Sequence, residues 1–123
     1  MGPRPGVPRR GEIYSINPNP VAGRETRDRH YWLVLSPEAV NRHGVAIAVV
    51  ISTVAAGARA AGLTVPISGD GVTGVAICTQ VRSFDLRARL ADGTASLAGT
   101  ADPGSVEEAA ARVAALLDPA PEG

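Results

Sequence analysis

Apolar residues along this chain change their spacing only once. From Glu12 to about residue 100 they come in short β-branched or loosely alternating runs bounded by Gly, Pro, Asn and Asp, and none is long enough to be read as a helix. After Asp102-Pro103-Gly104-Ser105 the period becomes helical. Val106, Ala109, Ala110, Val113 and Leu116 then share one face, Glu107 and Glu108 lie near the positive end of the helix dipole, and Pro119 stops the run. Several short strands with one amphipathic helix to cover them predict an α+β, mainly β fold: a small, partly closed β-barrel with the C-terminal helix laid against it. There is no βαβ rhythm, no repeat and no second domain.

The strands can be placed. Glu12 to Ile16 is the first, and Asn17-Pro18-Asn19-Pro20 breaks it. Tyr31 to Leu35 is the clearest, Val45 to Ser52 reads as central, and Leu63 to Ile67, Val75 to Gln80 and Ala95 to Gly99 follow. Val81 to Arg89 alternates loosely, so Arg87 and Arg89 read as the wet face of a strand. Ser36-Pro37-Glu38 has the form of a helix start with Ser36 as cap, giving a turn from Glu38 to Arg42 that Gly44 ends. Residues 1–10, Pro, Gly and Arg with little to bury, are expected to be a flexible arm whose Arg9-Arg10 end can touch RNA. Residues 11–118 form one domain and 119–123 a flexible tail.

Charge is informative only by position. All twelve basic residues are arginine and they balance twelve acidic ones, so the whole chain offers no electrostatic case for nucleic acid. Residues 1–60 carry eight arginines against four carboxylates, whereas residues 101–123 carry one against five. A basic front and an acidic end make a dipolar surface able to attract phosphate on one side. Cys78, the single cysteine, lies in an apolar run; no disulfide can form within the chain, and a buried, reduced thiol fits the cytosol. The N-terminus lacks the apolar core of a signal peptide, and no run approaches the roughly 20 apolar residues of a membrane span. Two scattered histidines, one cysteine and no clustered carboxylates provide no metal-ligand set, and without lysine there is no phosphate loop of the usual kind, so neither metal nor cofactor is expected.

The densest chemistry lies in Arg24-Glu25-Thr26-Arg27-Asp28-Arg29-His30-Tyr31-Trp32, just ahead of the apolar Leu33-Val34-Leu35. Guanidinium forks suit phosphate, imidazole moves protons near neutral pH, and aromatic faces stack on bases. The plainer alternative is a solvated arginine loop before a core strand. In an extended Tyr31 to Leu35, Tyr31 and Trp32 point to opposite faces: one can stack on a base while the other packs inside, and the alternation alone does not say which.

Read in order, Arg10-Gly11-Glu12-Ile13-Tyr14, Gly23-Arg24-Glu25, Leu33-Val34-Leu35-Ser36-Pro37, Asn41, Thr73-Gly74-Val75-Ala76-Ile77 and Gln80 through Arg89 resemble the MazF/PemK family of toxin endoribonucleases. The resemblance runs from about Arg10 to Leu117. It implies a homodimer of SH3-like barrels that cuts single-stranded RNA without metal, leaving a 2′,3′-cyclic phosphate and a 5′-hydroxyl, and that is restrained by a small acidic antitoxin. The family's catalytic Arg-Pro aligns with His30 and Tyr31, and its catalytic Thr aligns with Ser52, followed by Thr53. His30 can serve as base or acid, Arg29 or Arg27 can hold the phosphate, and Ser52 keeps a hydroxyl. Arg24, Arg27, Tyr31, Thr53, Gln80 and Arg82 are the expected RNA contacts. The alternative is a barrel of the same family that binds RNA, an antitoxin or another protein without cutting, as a gyrase poison of related fold does.

Overall fold

Both faces of the main sheet are buried, and this decides the architecture. The computed structural model describes residues 6–19, 22–23, 28–52 and 62–118. Among them six strands, β1 (Glu12–Ile16), β2 (His30–Val34), β3 (Ala46–Ser52), β4 (Thr64–Ser68), β5 (Thr73–Phe84) and β6 (Ala95–Thr100), form one antiparallel sheet in the order β4-β5-β3-β2-β1-β6. Among the described residues three helices accompany it: α1 (Glu38–Asn41), α2 (Leu86–Asp92) and α3 (Pro103–Leu117).

The sheet is bent at one place. Val49 of β3 faces Val81 of β5, but two residues on, Ile51 faces Ala76, so β5 spends five residues where β3 spends two. An odd excess of three residues turns the strand over, and a bulge of this kind also sharpens the local twist. Ala76 and Cys78 consequently enter one core while Phe84 enters the other. The bend carries β4 round towards β6, where Gly69 bridges Ala101, the Asp70 N–H donates to the Thr100 carbonyl (2.9 Å), and the Asp102 N–H donates to the Ser68 carbonyl (2.8 Å). The backbones approach closely here, since a Cβ on Gly69 would collide with Thr100 and one on Gly99 with Asp70, and the Ser68 hydroxyl donates to Asp102 Oδ2 (2.8 Å) beside them. The barrel is thus brought almost to closure without a continuous ladder between its two edges.

The first core is aliphatic. Ile13, Leu33, Val49, Ile51, Val65 and Ile67 lie under Val106 and Ala109 of α3, with Ala110 and Val113 packed at its margin. Each such Ile, Leu or Val contributes roughly 1.5–3 kcal/mol by leaving water. Leu116 remains exposed beyond the packed stretch. The second core holds Tyr14, Ile16, Trp32, Val34, Val50, Phe84 and Leu86, with the small Ala46 and Ala48 beneath. Those two alanines leave room for the chain's only Trp and only Phe, whose rings meet edge to face at 4.8 Å.

Two local expectations change. Ser36 does not cap α1; Pro37 occupies that position. Ser36 is buried instead, its hydroxyl donating to Asn41 Oδ1 and accepting the Ile47 N–H (2.8 Å), and Asn41 Nδ2 donates to the carbonyls of Pro8 (2.8 Å) and Ser36 (2.9 Å). This buried amide pins Pro8, while the Glu12 N–H donates to the Arg9 carbonyl at 3.1 Å, so the inner end of the expected arm is tied to the domain. Residues 1–5 of that arm and the tail 119–123 lie outside the described residues. Second, Leu86–Asp92 is helical, not strand: Asp85 caps it by accepting the Ala88 N–H (3.1 Å), and Gly93 ends it in the left-handed region at φ 82°.

Candidate active site at the end of the central strands

β2 begins at His30 where β3 ends at Ser52. The β2–β3 ladder pairs Tyr31 with Ile51, Trp32 with Val50, Leu33 with Val49 and Val34 with Ala48. Continued by one residue, this register sets His30 opposite Ser52. Opposed residues of an antiparallel pair leave the sheet on the same face with Cβ atoms about 4.5–5.5 Å apart, which is the spacing this continued register implies for His30 and Ser52. His30 is exposed and Ser52 half-buried, and Ser52 is engaged within the fold.

The other candidates are distributed around this pair. Arg29 donates through Nη1 to the Ser15 carbonyl (3.3 Å) and to Ser15 Oγ (3.2 Å), which places its guanidinium over β1, on the flank of β2 away from Ser52. Tyr31 is 45% exposed while Trp32 is wholly buried, which resolves the open choice between them. Alternation sends the Tyr31 side chain to the face opposite that of His30. Gln80 is half-buried in the bulged part of β5 and is partnered within the fold. Arg82 is half-buried, its guanidinium 5.2 Å from the centre of the Phe84 ring and its Nη1 donating to the Pro18 carbonyl at 3.5 Å. Arg24, Arg27 and Thr53 lie outside the described residues.

Sequence reasoning passed over the residues that frame the connection between β1 and β2. Arg89 lies 5.1 Å from the Phe84 ring and donates to the Asn17 carbonyl at 2.9 Å. Asn19 Nδ2 donates to Asp28 Oδ1 (3.2 Å) and the Asp28 N–H donates back to Asn19 Oδ1 (3.1 Å), with Asp28 held at φ 65°. The Asp85 cap and the following Gly93 were the signals that could have moved Arg89 from a strand to a helix; nothing in the sequence signals the Asn19–Asp28 clasp.

Elsewhere the titratable groups fit structural roles. The Tyr14 hydroxyl is pushed well above its ordinary value by burial and by donating to Glu12 Oε1 (2.9 Å), so it stays protonated. Burial likewise pushes the Cys78 thiol up, which disfavours a thiolate nucleophile. Among the described residues no three His, Cys, Asp or Glu side chains gather to share an ion, and no helix is long and apolar enough to cross a membrane. A cavity of 390 Å³ lined by Arg10, Gly11, Thr100, Ala101, Pro103, Val106 and Glu107 lies at the opposite end of β1 and includes none of the candidate residues.

Comparison with known proteins places this geometry in context. Residues 9–117 match the family model described as the PemK-like, MazF-like toxin of type II toxin-antitoxin system. The chain is 38% identical over 84 residues to Endoribonuclease PemK of Escherichia coli, a match covering 65% of this chain and 62% of that relative. It is 37% identical over 113 residues to the Escherichia coli K12 endoribonuclease toxin ChpB, covering 89% and 93% of the two chains. MazF from Deinococcus radiodurans superimposes with a TM-score of 0.75 at 31% identity, over 90% of this chain and 96% of that one; its complex with MazE superimposes at 0.70, with the same identity and coverage.

Proposed function

The chain belongs to the PemK-like, MazF-like toxin family of type II toxin–antitoxin systems, and from that premise we propose that it is an endoribonuclease cutting single-stranded RNA at short sequences without a metal ion. The observation that supports the proposal is the β2–β3 register, whose continuation by one residue past the Tyr31–Ile51 pair puts His30 and Ser52 opposite one another.

In the proposed reaction His30 accepts the proton of a ribose 2′-hydroxyl. The 2′-oxygen bonds to the adjacent phosphorus, the bond from phosphorus to the 5′-oxygen breaks, and that oxygen takes a proton from water, leaving a 2′,3′-cyclic phosphate and a 5′-hydroxyl. Ser52 donates a hydrogen bond to a nonbridging oxygen while charge builds on it. Arg29 supplies the cation by exchanging two long, exposed bonds to Ser15 for phosphate, an exchange that costs little because both are weak and solvated. Tyr31, the exposed ring, stacks on a base; Gln80 reads a base edge; Arg24, Arg27 and Thr53 extend the RNA contact. The partner is a cognate small acidic antitoxin, as MazF of Deinococcus radiodurans has been solved with MazE. The working form is a homodimer in the cytoplasm.

The experiment is cleavage of a long single-stranded RNA in EDTA with mapping of the ends. Cyclic-phosphate and 5′-hydroxyl ends at a short recurring sequence are expected. Cleavage only on addition of a divalent cation would overturn the metal-free mechanism. No cleavage at all would favour a binding-only role, a reading to which the replacement of the family's Arg-Pro and Thr by His30, Tyr31 and Ser52 lends substance.

A further inference from the structure

Arg82 and Arg89 do something other than wait for phosphate. Arg82 comes from β5 and Arg89 from α2, yet their guanidiniums sit at 5.2 and 5.1 Å from the centre of the same buried ring, Phe84, and donate to consecutive backbone carbonyls, those of Pro18 and Asn17. A planar cation resting on an aromatic face is held in orientation as well as attracted, and its remaining donors then point where the stack directs them. Pro18 is itself fully buried, so the chain leaving β1 is packed into the fold as well as hydrogen-bonded by both guanidiniums. One residue further, Asn19 and Asp28 exchange two hydrogen bonds across the connection, and Asp28 is two residues before His30. On the far side Ile16 pairs directly with His30.

We propose that Arg89, with Arg82 and the Asn19–Asp28 clasp, positions His30 for the reaction. Arg89 is a positioning residue that acts through the backbone of Asn17 to Asn19; it is not an RNA ligand. The mechanical reason is that His30 opens its strand: the β1 ladder holds it through Ile16 and β2 continues from it, while the connection before it sets its other side, and that connection is fixed at its start by the two guanidiniums together with the Asn17 N–H, which donates to the Thr94 carbonyl at 2.9 Å. The non-glycine φ of 65° at Asp28 is a conformation that needs such surroundings to persist. The inference rests on the endoribonuclease reading, and its test separates the two.

The test compares wild type, Arg89→Met, Arg89→Lys and Asn19→Ala in steady-state RNA cleavage at several salt concentrations, together with amide hydrogen exchange of the Asp28 N–H. Arg89→Met keeps the apolar stem and removes the donors; it is expected to lower kcat roughly ten- to a hundredfold, with KM and the salt dependence unchanged, because misplacement by about an ångström suffices for such a loss. Its Asp28 amide exchanges faster than in wild type. Arg89→Lys, able to donate once but not to stack as a plane, recovers part of kcat, and Asn19→Ala shifts kcat and exchange in the same direction as Arg89→Met. An unchanged kcat with a raised KM and a salt slope shallower by about one phosphate contact would make Arg89 an RNA ligand and overturn the proposal. Unchanged Asp28 exchange in Arg89→Met, with wild type active, would overturn it too. A wild type that cuts no RNA removes the endoribonuclease reading itself.

Discussion

The two cores of this small barrel are built from different residues and serve different ends. The one under α3 is aliphatic save for Cys78, and it joins α3 to β1–β5, with Ala98 of β6 packed at its margin. The one beneath α2 gathers Trp32, Tyr14 and Phe84 under a rim of Arg82, Arg89 and His30, and it contains Trp32 Nε1, a buried N–H with no acceptor among the described residues. The aliphatic side joins helix to sheet, and the aromatic side holds two cations and the neighbouring backbone in set places. Rings are the economical means of doing so, since one flat buried surface orients two guanidiniums at once.

That contrast can be broken by moving load between the sides. Leu33→Ala, in the aliphatic core, is expected to lower stability by about 2–5 kcal/mol through lost burial and a residual cavity, seen as a shifted denaturant midpoint, while kcat per folded molecule stays unchanged. A fall in kcat of the kind expected for Arg89→Met would show that the two cores are not separate in function. A much smaller effect is expected at Asp92, at the end of α2, whose carboxylate accepts from Thr94 Oγ1 (2.6 Å) and from the Thr94 N–H (2.9 Å). These bonds, with the Arg89 charge nearby, hold it below the usual carboxylate value. A carboxylate lowered in the folded state adds its stability above its unfolded value, about 3.9, and loses it as pH falls through the lowered folded value. Asp92→Ala is therefore expected to remove a small part of the acid sensitivity below about pH 4 and to leave neutral stability only slightly reduced; equal acid midpoints for the two proteins would show that this turn contributes nothing to α2.

Much of the architecture is legible in the residues because period carries it. β1, β2, β3 and β4 fall within a residue or so of where β-branched runs end, and the helical spacing of Val106, Ala109 and Val113 marks α3. The three-residue excess in β5 is not legible, because a run such as Val75 to Phe84 remains apolar and extended whichever face each residue takes; the bulge exists only in relation to β3. α2 was hidden for a different reason. Leu86, Ala88 and Leu90 alternate with polar neighbours in a way that imitates a strand, and the cap at Asp85 outweighs that alternation only once Leu86 has a core to enter. In the candidate site, His30 and Ser52 are proposed through family alignment, whereas the contacts of Arg89 were not legible: its acceptor at Asn17 is 72 residues away along the chain. Tyr31 and Trp32 were sorted by residues neither of them adjoins in sequence, Ala46 and Ala48, whose small side chains make the hole that the indole fills.

The most direct trial of the shared-phosphate geometry is a double-mutant cycle on RNA cleavage in EDTA with His30→Ala, Ser52→Ala and the two combined, each checked for an unchanged fold. Groups that act on one phosphate act as a unit, so His30→Ala is expected to lower kcat by roughly 10²–10⁴ and the double variant to be scarcely slower than the worse single one. Losses that simply multiply would mean that the imidazole and the hydroxyl work apart, contrary to the register that brings them together.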